Sequence, residues 1–235
     1  MIIYNGVDFT ETFPVKVDDI IVSPIQLTPV ARQRAIQFGS EFVRMSGGQR
    51  TVTISFALLE MNQYTREQVM QDVRDWAKVG ANAEYTLELP EFATRHLECA
   101  CTSLPAHSYR QWWENKLTIV FTCFNNPYWT SNDAVEVPCG TRFSVGGGAQ
   151  PIMTIERSGT TKLTNQTYTN GSASMTFTQI PAGSLVIDLN RQTAAIGKSS
   201  IMQYYSPTST WIVPKVGANQ YINGVGTVKY RERWV

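Results

Sequence analysis

The sequence predicts a mainly β protein of two domains with a single helix. Three observations carry this. Composition changes near residue 125, from a mixed segment to a long stretch rich in Thr, Ser, Gly, Asn and Gln. One amphipathic helical stripe is present, and it lies in the first half. In the second half, short strand-like runs recur every 8–12 residues or so, the pattern of a β-sandwich.

The elements follow in order. Residues Met1 to Tyr4 and Val15 to Val22 read as strands, and Asn5-Gly6 between apolar residues signals a tight turn. Residues 30–50 hold four arginines, two phenylalanines and three glycines without a helical period. They read as an extended arm or long hairpin with Gly47-Gly48 at a turn. A hairpin of that kind is poorly stable alone and generally lies against something else. In the run from Thr51 to Leu59, Val52, Ile54, Phe56 and Leu58 face one way while Thr51, Thr53 and Ser55 face the other.

The helix is expected from Thr65, an N-cap with Gln68 three residues on in a capping-box pattern. Val69, Met70, Val73, Trp76 and Ala77 then form one apolar stripe, and Gly80 stops the helix. Strands resume at Glu84–Leu89, Leu97–Ser103 and Lys116–Phe124, and Asn125-Asn126-Pro127 closes the module.

Residues 131–150, with Pro138, Gly140 and Gly146-Gly147-Gly148, read as a boundary zone. The domains are set at residues 1–132 and 133–235. Beyond the zone the expected strands are Ile152–Glu156, Lys162–Tyr168, Ser174–Phe177, Ser184–Asp188, Thr193–Ile196, Trp211–Val213, Gln220–Asn223 and Gly226–Arg233. Asn170-Gly171, Pro181-Ala182-Gly183 and Asn190-Arg191 are the turns between them.

Composition narrows function. A net charge of +1 gives no polyelectrolyte signal for nucleic acid or an anionic membrane. No signal peptide and no membrane span are expected, so the chain is expected to remain where it is made unless it leaves within a particle. Charged residues are only 17%, which suits extensive protein–protein contact. The cysteines, Cys99, Cys101, Cys123 and Cys139, are expected to be free thiols in a reducing compartment. Cys99, Cys101 and His96 are too few for a zinc site without a second ligand pair, so no metal and no cofactor are expected.

An enzyme is disfavoured. Neither His96 nor His107 lies in a nucleophile motif. Glu84, Glu88, Glu91 and Glu98 could pair across strands for glycoside chemistry, but exposed acids on strand faces are the ordinary reading. Gly146-Gly147-Gly148 lacks the Lys-Ser/Thr of a phosphate loop.

Taken in order, several segments resemble the distal tail protein of siphophage-type bacteriophages, whose tails are long and non-contractile. They are Ile3-Tyr4-Asn5-Gly6-Val7-Asp8, then the 30–50 arm with Arg50-Thr51-Val52-Thr53-Ile54-Ser55-Phe56, and Leu117 to Tyr128 ending in Asn125-Asn126-Pro127. Pro151-Ile152-Met153-Thr154-Ile155 and Leu185-Val186-Ile187-Asp188 with Arg191 complete the set. The chain departs from the family pattern at the triple glycine, which replaces an Asn-Gly element. It departs again at Phe38-Gly39-Ser40-Glu41, where the family's arm carries P-G-R-D-G.

The resemblance implies an N-terminal split β-barrel plus helix and a C-terminal galectin-like β-sandwich. It implies a structural tail-tip hub: a homo-oligomeric ring, typically a hexamer, assembled in the host cytoplasm and carried at the virion tail tip. The ring joins the tail tube protein to a tail-tip or tail-associated fibre protein and to the receptor-binding protein. No sequence-specific nucleic-acid binding is expected. On this reading Arg32, Arg34, Phe38, Phe42, Arg44 and Arg50 form the subunit interface of the arm, being residue types enriched at interface cores. The alternative is a carbohydrate-binding sandwich used in host adsorption, with Tyr204, Tyr205 and Trp211 stacking on a sugar.

Overall fold

A computed structural model describes residues 1–26, 28–33, 40–46, 48–59, 62–78, 83–105, 116–171 and 173–235. The chain is mainly β. It forms two compact units, Met1–Pro127 and Tyr128–Val235.

The first unit opens with β1 (Ile3–Tyr4) and β2 (Val7–Asp8). They are joined by Asn5 and Gly6, whose φ angles of 51° and 77° give the turn its left-handed backbone. That is the geometry an Asn-Gly pair favours in a two-residue hairpin. A short helix not foreseen in the sequence follows, α1 (Phe9–Thr12). Asp8 caps it: its carboxylate accepts from the Thr10 amide at 2.8 Å and the Thr10 hydroxyl at 2.7 Å. Burial pushes the Asp8 carboxyl up, but these and neighbouring backbone hydrogen bonds outweigh it and hold it below the ordinary carboxylate value.

Next come β3 (Val15–Val22), β4 (Thr28–Gln33), β5 (Ser40–Ser46), β6 (Arg50–Leu58), α2 (Gln63–Lys78), β7 (Tyr85–Glu88), β8 (Arg95–Ser103) and β9 (Leu117–Cys123). All the pairings are antiparallel, and the strand order is β3-β6-β9-β8-β7-β1-β2. β8 makes the corner. Its first half pairs with β7 and its second half with β9, so one strand serves two sheets of a split barrel. The alternation expected in β6 is present: Val52, Ile54, Phe56 and Leu58 are buried.

α2 closes this core with Val69, Met70, Val73, Trp76 and Ala77, all buried. Its start differs from expectation. The helix begins at Gln63, and the Asn62 side chain accepts from the Tyr64 amide at 3.0 Å. The Thr65–Gln68 box does not form; Gln68 instead donates to Asp72 at 2.8 Å, one turn on. The expected stop at Gly80 lies outside the described residues.

The second unit contains β10 (Trp129–Ser131), β11 (Val135–Pro138), β12 (Arg142–Val145), β13 (Ala149–Gly159), β14 (Leu163–Thr169), β15 (Ser174–Ile180), β16 (Gly183–Asp188), β17 (Thr193–Ile196), β18 (Ser199–Ser200), β19 (Gly217–Tyr221) and β20 (Thr227–Trp234). One layer runs β18-β17-β16-β13-β20-β10, with β11 also on β20. The hairpin β14-β15 and the pair β12-β19 supply the other. Met153, Ile155, Ile187 and Val228 from the first layer meet Tyr168, Phe177 and Phe143 from the second in one buried core. This is the sandwich that the strand spacing predicted.

The 131–150 zone, where the boundary is expected, carries β11, β12 and the ends of β10 and β13. Its triple glycine is tied to β20 by the Gly148 amide on the Arg233 carbonyl at 3.0 Å and the Gly146 amide on Glu232 at 2.6 Å. Trp211–Val213 is not a strand. Ile212 is fully buried there, and the Trp211 indole N–H donates to the Leu189 carbonyl at 3.1 Å. Side-chain packing holds that segment without a ladder.

Candidate functional site

The residues singled out in the sequence lie on the hairpin β4-β5. Its strands form a two-stranded sheet of their own, from Thr28 opposite Ser46 to Gln33 opposite Ser40. The two strands pair antiparallel, as a hairpin requires. Arg32 stands opposite Glu41, Phe42 opposite Ala31, and Arg44 opposite Val30. A bulge between the last two pairs leaves one extra residue on β5, which raises the local twist.

Arg34 and Phe38 lie outside the described residues, as does the Gly47 position. Arg50 is placed differently from the others. It opens β6 opposite Cys123 and is only 4% exposed, so it belongs to the body of the unit. Among the described residues the hairpin joins no larger sheet, and a two-stranded hairpin gains little from its own ladder.

Two of the acids considered for chemistry, Glu84 and Glu98, hold the segment that ends the first unit. Glu84 binds the turn that ends the first unit: its carboxylate accepts from the Phe124 amide at 2.5 Å, the Asn125 amide at 3.1 Å and the Asn125 side chain at 2.6 Å. Glu98 accepts from the Asn126 side chain at 3.4 Å. Nothing in the sequence distinguished Glu84 from its neighbours, because its partners lie some forty positions along the chain. Among the described residues no cluster of three His, Cys, Asp or Glu could hold a metal ion. His96 is buried on β8, and His107 lies outside the described residues.

The four cysteines are free. Contact with the Cys123 thiol, and then burial, push the Cys99 thiol well up. Burial raises Cys139 to about 11. Both effects disfavour the thiolate a nucleophile needs.

The aromatic residues considered for a sugar platform serve the sandwich core. Tyr205 packs edge-on to Phe177 with centroids 5.6 Å apart and lies 5.3 Å from Trp211. A cleft of ≈ 440 Å³ on the sandwich is lined by Glu136, Glu156, Arg157 and Lys229 among others. It has no aromatic wall, and Lys229 is paired with Glu136 at 3.0 Å. No helix among the described residues is long and apolar enough to cross a membrane.

No protein-family model matches the sequence, and no curated protein matches it. Solved structures do match the fold. The chain is similar along 100% of its length, and 98% of the other's, to the SPP1 Dit (gp 19.1) protein, with a TM-score of 0.78 and 15% identity. That protein is described as a paradigm of the hub adsorption apparatus in phages infecting Gram-positive bacteria. The chain is also similar to a chain of the phage p2 baseplate in its activated conformation with Sr, at a TM-score of 0.52, 11% identity, and 99% and 96% coverage. With Ca the corresponding figures are 0.53, 11%, and 100% and 97%. The likeness to the SPP1 Dit protein thus runs through both units of this chain, and the resemblance to siphophage distal tail proteins holds at the level of the fold.

Proposed function

We propose that this chain is a structural tail-tip hub protein of a siphophage-type particle. The observation that carries the reading is the likeness to the SPP1 Dit protein over both units at once, with a TM-score of 0.78. A shared sandwich alone would say little, because sandwiches serve many functions. The whole-length order of barrel, helix and sandwich is a narrower match.

In this reading the first unit closes a homo-oligomeric ring, most simply a hexamer. The galectin-like sandwich faces outward. Head-to-tail contacts make each interface heterologous, so an arm on one subunit meets a different surface on the next. Arg32, Arg34, Phe38, Phe42 and Arg44 of the arm supply that contact; Arg50 supports it from β6. The ring joins the tail tube protein to the tail-tip fibre protein and the receptor-binding protein. The protein has no catalytic task.

Light scattering on the purified chain across a concentration series, with negative-stain images, tests ring closure. Rings of one defined size support it. A monomer at every concentration, both alone and with tail tube protein, overturns it. Glycan-dependent chemical shifts in a monomeric chain would favour the adsorption-module reading instead.

A further inference from the structure

Two buried thiols, Cys99 and Cys123, lie on the adjacent strands β8 and β9. The antiparallel register of β8 and β9 pairs Ala100 with Thr122 and Cys101 with Phe121. Continued one residue back along β8 and one forward along β9, beyond the last registered pair, the same register would set Cys99 opposite Cys123. The register shift of this pair lies beyond Cys101, on the other side, so it does not disturb that alignment. Both residues are fully buried and both are free. Directly opposed residues in an antiparallel pair have Cα atoms about 4.5–5.5 Å apart. That lies inside the span of about 4.4–6.8 Å that a disulfide bridges without moving backbone. The nearness of Cys123 is also the leading cause of the rise of the Cys99 thiol above its ordinary value.

We propose that Cys99 and Cys123 are a disulfide-forming pair, oxidised by a small peroxide. One sulfur gives an electron pair to a peroxide oxygen. The O–O bond breaks, and a sulfenic acid and one water result. The second sulfur attacks the first, the S–O bond breaks, and the hydroxyl leaves with the second thiol proton as another water. In sum, two thiols lose two hydrogens and one hydrogen peroxide becomes two waters. Burial makes the step slow while the protein is reduced, since the thiolate is the nucleophile. Cys101 and Cys139 are only partly buried; Cys101 stands opposite Phe121, and Cys139 belongs to the second unit.

The bridge would staple β8 to β9 at the corner of the split barrel. The closed loop would span Cys99 to Cys123, which restricts the unfolded chain and raises the unfolding temperature of the first unit.

The test treats the folded full chain with hydrogen peroxide, then alkylates it under denaturing conditions for intact mass and a non-reduced peptide map. Two of the four cysteines should escape alkylation and the protein should be two hydrogens lighter. The linked peptides should contain residues 99 and 123. No Lys or Arg separates Cys99 from Cys101, so a Cys101→Ser/Cys139→Ser variant decides between them. It should keep the bridge, and Cys123→Ser should lose it. A reductant should restore the original mass and unfolding temperature. Alkylation of all four cysteines, oxygen addition without a bridge, or a bridge lost in the Cys101→Ser/Cys139→Ser variant would overturn the proposal. Should Cys123→Ser fail to fold, the wild-type map together with the double variant still decides.

Discussion

The indole of Trp76 stacks on the ring of Phe9, with centroids 4.8 Å apart and planes 22° from parallel. This contact joins the long helix to the short one that the sequence did not reveal. Tyr4 and Phe121 meet the same indole edge-on, with centroids at 5.6 and 6.1 Å. The indole N–H is buried without a hydrogen-bond partner among the described residues, so Trp76 acts as a packing surface. Trp76→Ala should cost about 3–5 kcal/mol. Trp76→Phe keeps a ring and removes the unpartnered donor, so it should cost under about 1.5 kcal/mol. Val73→Asp, with its charge placed in the same core, should unfold the unit outright. Urea unfolding of the full chain, followed by near-ultraviolet circular dichroism, measures all three.

Gly147 is the second test of packing. Its φ is +88°, and a Cβ there would come within 2.2 Å of the Arg233 carbonyl oxygen. Gly147→Ala should destabilise the sandwich by about 2 kcal/mol or more, through both strain and collision. Gly148→Ala is the control: a Cβ there meets only Val235, at 3.8 Å. Equal midpoints for the two variants would show that the close approach of Gly147 to β20 does not set the stability of the sandwich.

Asp8 links stability to pH. Its carboxyl is held below the ordinary value in the folded chain. Its stabilisation is therefore complete above the unfolded carboxyl value, about pH 4, and is lost as pH falls through the lower folded value. Asp8→Ala removes the cap and should cost about 1 kcal/mol near neutrality. Asp8→Asn keeps a capping oxygen and should flatten this part of the acid limb. Urea midpoints at about pH 6 and about pH 3 compare the three proteins.

The arm separates assembly from folding. A Phe38→Ser/Phe42→Ser variant should lose ring formation in light scattering while its unfolding midpoint stays within about 0.5 kcal/mol of wild type. Unfolding as ready as that of Val73→Asp would make the arm part of the core. Normal assembly would make it a solvated loop, with rings closing through strand edges.

Much of this architecture is legible in the sequence wherever local pattern and tertiary burial agree. β6 alternates because one of its faces is core. The α2 stripe is a single apolar face, and Asn5-Gly6 has few conformations other than its turn. The misreadings share a cause: local signals that tertiary contacts override. Thr65 and Asn62 both suit an N-cap, and the choice of Asn62 lets Gln68 pair with Asp72 instead. The glycines at 146–148 look like a linker until β20 pairs with them. Trp211 and Ile212 have the composition of a strand but are held by side-chain packing. For the candidate site, the hairpin was legible from its lack of helical period. Arg50 was not, because its burial depends on β9, far along the chain.

Gold-labelled antibody against this chain, imaged on purified virions by electron microscopy, tests the hub reading most directly. The label should sit at the end of the tail distal to the capsid, with one site per particle. Virions that carry no label, or carry it along the tail shaft or on the capsid, would contradict a tail-tip hub.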